Sequence, residues 1–92
     1  MSLPAALFSG DDTQAEAALA LAEPGWLPEL ESALSSPDAE RRWWAVRALA
    51  FIGDTRAIPA LFKALEDESA IAQYWADEGL ERMGVGQVYF KP

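Results

Sequence analysis

The sequence contains no cysteine and no histidine. Lack of cysteine removes disulfides, thiolate nucleophiles and soft-metal ligands, and lack of histidine removes the usual general base and the commonest nitrogen donor for zinc. A serine nucleophile would have no partner to activate it, so no catalytic residue, no metal and no cofactor is expected. Glu66-Asp67-Glu68 is the densest run of hard oxygen donors. Three successive acids at a helix end diverge, however, and lack the Asp/Asn/Gly spacing of a calcium loop. Gly84-x-Gly86 follows no strand, so it is not a phosphate-binding turn.

Long apolar runs are missing too. Charges interrupt every stretch well short of the roughly 20 residues a membrane span needs. The opening Met-Ser-Leu-Pro lacks the basic and apolar regions of a secretory signal, so a cytoplasmic location is expected. Cations are absent from the first forty residues, which hold eight carboxylates, and Arg41 is the first basic residue of a chain with formal charge −8. Arg41, Arg42, Arg47, Arg56 and Lys63 form a basic middle between acidic ends. A polyanion would be repelled by those ends, which excludes nucleic acid and anionic membrane surfaces as expected partners. The acidic stretch reads as a solvated helix face.

What is present is a repeat. Trp26–Asp54 overlays Ala57–Val85 at an offset of 31 without a gap, with identities that include Pro28/Pro59, Leu30/Leu61, Trp44/Trp75, Leu49/Leu80 and Gly53/Gly84. Each copy has one grammar: a short helix, a polar turn, a helix of about fourteen residues and a glycine stop. Pro28 and Pro59 belong in the first turn of the short helices, where a missing N–H costs no hydrogen bond. Ser36 is expected to cap the first long helix, with Pro37 at its first position. Arg41, Ala45, Ala48, Leu49 and Ile52 share one face of that helix, and Ala72, Ala76, Gly79, Leu80 and Met83 share the matching face of the second.

Upstream, Ala15, Ala18, Leu19 and Ala22 repeat the long-helix face, and Asp11 with Gln14 forms a capping-box pattern. Leu3, Ala6 and Leu7 suggest a remnant short helix. The chain therefore reads as a single domain over 1–92: a partial repeat at about 3–25, full repeats at 26–54 and 57–85, and a tail at 85–92. The tail, with two glycines and then Val88, Tyr89 and Phe90, is expected to be extended and to fold as a lid over the last repeat. Its alternative role is docking to another molecule.

The stretch Ala45-Val-Arg-Ala-Leu-Ala-Phe-Ile-Gly-Asp-Thr-Arg-Ala-Ile-Pro-Ala-Leu61, with Asp38 four residues before Arg42, resembles the HEAT-repeat family, specifically the short phycobilisome-lyase-type repeats. The resemblance covers about residues 12 to 84. It implies an all-α, HEAT-like α-α superhelix of about two and a half helical hairpins, ending here in an extended C-terminal tail. It also implies a protein-binding scaffold, with bilin lyase subunits among the family's members. Gln73 stands where Arg42 stands one copy earlier and Ser69 where Asp38 does, so the last copy reads as a specialised cap.

Around the long helix Trp43 lies about 160° from Ala45, near Arg47, and is expected to face away from the core. Tyr74 repeats that position. Trp44 and Trp75 lie at the boundary and are expected to pack. An outward aromatic beside an arginine has the composition of a binding hot spot. Trp43, Arg47 and Tyr74 are therefore the expected partner contacts of a non-catalytic interaction module; the bland alternative is a surface cation–π pair between Trp43 and Arg47. Family resemblance places the short helices on a concave side presenting Glu29, Ser32, Ala33, Ala60, Lys63 and Ala64, which reads as flat and poor in anchors. Two further roles stand beside the module: a lyase-like subunit with Trp44 or Trp75 stacked on an open-chain tetrapyrrole, and a homodimer formed through the array ends or the tail.

Overall fold

The computed structural model describes residues 5–85, all of them in helices and the connections between helices. After a 3-10 turn at Ala5–Phe8 come α1 (Asp12–Leu19), a 3-10 turn at Pro24–Trp26, α2 (Leu27–Ala33) and α3 (Ala39–Ile52). A 3-10 turn at Thr55–Ala57, α4 (Ile58–Ala64) and α5 (Ala70–Arg82) complete the order. The expected extended tail lies outside the described residues beyond Val85, as does Leu3. Among the described residues no helix is long and apolar enough to cross a membrane.

Side-chain capping fixes the starts of α1, α3 and α5. Asp11 Oδ1 accepts from the N–H groups of Thr13 at 2.9 Å and Gln14 at 3.2 Å, satisfying donors that the first turn leaves without intrahelical acceptors. The cap of α3 differs from the expected one. Asp38, not Ser36, accepts from Glu40 N–H at 3.0 Å, while Ser36 Oγ accepts from Asp38 N–H at 3.1 Å and shapes the turn before it. Pro37 then precedes the helix, where its fixed φ suits the extended approach to the cap. The helix of the partial repeat, α1, is also shorter than its pattern suggests. α1 stops after eight residues, because Leu21 and Ala22 donate to Ala18 and Leu19 in tight turns and Pro24 starts the next element.

Stacking of α2–α3 and α4–α5 buries one continuous apolar core through Leu7, Leu19, Trp26, Leu30, Trp44, Leu49, Leu61 and Leu80. Arg41, placed by its spacing on the core face, is exposed, and its guanidinium lies 4.2 Å from the Phe8 ring centroid. The closest approach is between α3 and α5. A Cβ built on Gly79 would lie 2.7 Å from Ala50 Cβ and 3.2 Å from Leu61 Cδ1, so only glycine lets these two helices and α4 meet there. Gly53 ends α3 at φ 68°, a left-handed conformation that disfavours a side chain.

Candidate interaction surfaces

Arg47 sits among aromatic rings rather than at the surface. Its guanidinium lies 5.0 Å from the Trp44 ring centroid and 4.7 Å from that of Trp75, and its Nη1 is 3.2 Å from Glu16 Oε1 on α1. One side chain thereby links three helices, an arrangement suited to arginine because its planar cation stacks and forms ion pairs together. In place of the alternative Trp43–Arg47 stack, Trp43 lies on Trp44, with centroids 4.7 Å apart and planes 27° apart. Tyr74 meets Trp75 edge-on at 5.1 Å. Trp43, Trp44, Arg47, Trp75 and Tyr74 thus form one run from α3 to α5.

Within this run Trp44 packs and Tyr74 is exposed as expected, whereas Trp43 departs from its expected outward placement. Trp44 is 2% exposed and belongs to the core, while Trp43 is half-buried and packs against it. Tyr74, in the matching position one copy later, is 57% exposed. Position in the stack explains the contrast: α5 packs along α3, whereas no helix follows α5 among the described residues. Val46 and Ala50 of α3 are buried on the side that meets α5, and their copies on α5 are Asp77 and Glu81. The outward side of α5, the last helix among the described residues, therefore carries acidic residues.

The second surface lies between the short helices. A groove of about 570 Å³ runs between α2 and α4, lined by Leu34, Pro59, Ala60 and Ala64, with Glu31, Lys63 and Glu66 among its polar residues. A second hollow of about 540 Å³ at the start of α2 is lined by Pro24, Leu27, Pro28 and Arg56, and Glu31 borders both. The expected flat face is thus hollowed. Ala60, Lys63 and Ala64 line the groove, but on α2 the lining residues are Glu31 and Leu34 rather than Glu29, Ser32 and Ala33. Two parallel copies of a helix face each other across a groove with opposite sides, so the same register positions cannot line both walls.

Asp67, which also lines this groove, belongs to an ionic clamp. Arg42 of α3 donates from Nε to Asp67 Oδ2 at 3.0 Å, from Nη2 to Asp67 Oδ1 at 3.3 Å and from Nη1 to the Ser36 carbonyl at 2.9 Å. Burial pushes the Asp67 carboxyl up, but hydrogen bonds from Arg42 and Ser69 N–H, with the guanidinium charge, outweigh it and hold the group below the usual carboxylate range. The hydrogen bond to Asp67 in turn raises Arg42. Gln73, the copy of Arg42, donates to the Asp67 carbonyl as Arg42 donates to that of Ser36. The local bond survives in the second copy, while its ion pair to a further hairpin does not. Arg56, which lines the second hollow, pairs with Asp54, with Nη2 2.8 Å from Oδ2. That side-chain hydrogen bond, with one from Arg56 N–H, lowers Asp54 to about 2.

A family model for HEAT repeats matches residues 6–81. No curated protein and no solved structure matches the chain.

Proposed function

This chain belongs to the HEAT-repeat family, whose members generally mediate protein–protein interaction, and from that premise we propose that it is a non-catalytic module that seats a segment of a partner protein between its short helices. The supporting observation is the α2/α4 groove. Its volume of about 570 Å³ falls in the range of roughly 300–1,000 Å³ typical of ligand clefts. Leu34, Pro59, Ala60 and Ala64 supply apolar contact, and Glu31, Lys63 and Glu66 supply orientation. A displayed peptide library selected on the folded protein tests this reading. Captured peptides should bind at least about tenfold more weakly to Ala60→Arg, which fills the groove, and equally well to Tyr74→Ala. Unchanged binding to Ala60→Arg defeats the proposal.

A second contact surface is the aromatic run, favoured by the 57% exposure of Tyr74. In this reading Tyr74 touches the partner, while Trp43 and Arg47 hold the ridge in place. Loss of binding in Tyr74→Ala with Ala60→Arg unaffected would select it.

The phycobilisome-lyase-type alternative needs a tryptophan face for a tetrapyrrole. Trp44 is 2% exposed and Trp75 carries Arg47 on its ring, which ranks this role below the others. Mixing with a bilin decides it, since the role requires a change in the red absorption band. Homodimerisation, the remaining alternative, is read from molar mass by light scattering.

A further inference from the structure

The charges around the two hollows beside α2 leave one carboxylate over. Asp67 is matched by Arg42, whose Nε and Nη2 reach its two oxygens. Arg56 is matched by Asp54 through Nε to Oδ1 at 3.1 Å and Nη2 to Oδ2 at 2.8 Å. Lys63 and Glu66, both exposed in the groove lining, cancel in sum. Glu31 is the remaining ion. It is exposed and borders both hollows. Its field reaches Arg56, but that guanidinium is already held by both oxygens of Asp54. The copy of Glu31 on α4 is Phe62, so the repeat itself does not call for a carboxylate at this position.

Resting on the reading of the α2/α4 groove as a peptide seat, we propose that the seated segment is cationic: its lysine or arginine pairs with Glu31, and apolar side chains two residues to either side enter the two hollows. Spacing along α2 supports this arrangement. Leu27 and Leu34 lie about 6 Å and about 4.5 Å along the helix axis to either side of Glu31, and alternate side chains of an extended segment are about 6.7 Å apart. One apolar side chain thus meets Leu34, Ala60 and Ala64, and the other meets Pro24, Leu27 and Pro28. The cation between them forms a charge-assisted hydrogen bond, stronger than a neutral side chain could make with the same carboxylate. The first forty residues hold eight carboxylates and no cation, so the field over α2 draws a cationic segment in from a distance. That field disfavours both an acidic peptide and a second copy of this chain, whose formal charge is −8.

A displayed library of random peptides, selected on the wild-type protein, tests the assignment. Only peptides lost on Ala60→Leu, which fills the groove without adding charge, are scored. They should carry Lys or Arg in excess over Asp and Glu, with apolar residues two positions to either side. Glu31→Gln, with helical circular dichroism unchanged, should weaken their binding at least about threefold. Glu31→Lys should weaken it about tenfold or more, and selection on that variant should enrich Asp and Glu instead. Raising salt from about 0.05 M to about 0.5 M should weaken binding to wild type more than binding to Glu31→Gln. Groove-dependent peptides that are neutral or acidic, or that bind Glu31→Gln as tightly as wild type, overturn the proposal and leave the module reading intact. Absence of any groove-dependent capture overturns both.

Discussion

Arg42 and Asp67 stand 25 residues apart in sequence and share two hydrogen bonds, Nε to Oδ2 at 3.0 Å and Nη2 to Oδ1 at 3.3 Å. The pair joins the first full hairpin to the turn of the second. Arg42→Lys keeps the charge but loses the planar fork that meets both oxygens and the Ser36 carbonyl. The expected outcome is a lower urea midpoint with unchanged m. An unaltered midpoint would mean that the clamp adds nothing to stability.

The pH dependence follows from two carboxylates held below the ordinary range, Asp67 and Asp54, the latter at about 2. Each favours the folded state above the unfolded carboxylate value of about 3.9, and the contribution fades as pH falls through the folded value. Stability should therefore drop between about pH 5 and pH 2. Asp67→Asn should flatten the urea midpoint over that window, and a variant with the wild-type slope refutes the assignment.

Gly79→Ala should destabilise. Alanine improves helix propensity by about 1 kcal/mol, but its Cβ would come 2.7 Å from Ala50 Cβ and 3.0 Å from Ala50 Cα. Overpacking of this kind costs about 1–3 kcal/mol. Combining it with Ala50→Gly should recover part of the loss, so the two ΔΔG values from denaturation would be non-additive.

Trp43→Ala and Tyr74→Ala should separate cleanly in thermal melts despite their matching positions. Trp43 stacks on Trp44 and is half-buried, so its removal should cost roughly 1–3 kcal/mol. Tyr74, at 57% exposure, should change stability by no more than about 0.5 kcal/mol. Equal melts for the two variants would contradict the stacking order.

Much of the architecture was legible because Pro28/Pro59, Leu30/Leu61 and Gly53/Gly84 recur at one offset, and repetition of local chemistry yields repetition of local structure. Contacts between copies were not. The Arg42–Asp67 clamp and the cradle around Arg47 depend on how one hairpin leans on the next, which no single-helix periodicity records. The outward placement of Trp43 failed for the same reason: a helical wheel separates inside from outside, but a stacked helix also has sides that meet its neighbours. The groove was missed because two parallel walls present different registers, and only one wall was read correctly, through Ala60, Lys63 and Ala64. At the cap, Ser36 and Asp38 each accept from an N–H two residues on, so chemistry alone did not say which begins the helix.

Replacement of Val46 and Ala50 by Asp77 and Glu81 also bears on how such a molecule could grow. Copying the hairpin and grafting it after α5 would set an aliphatic seam against two carboxylates, so duplication alone would yield a badly joined extension. Restoring Val and Ala at those two sites is the smallest change that would give α5 the aliphatic side that α3 presents.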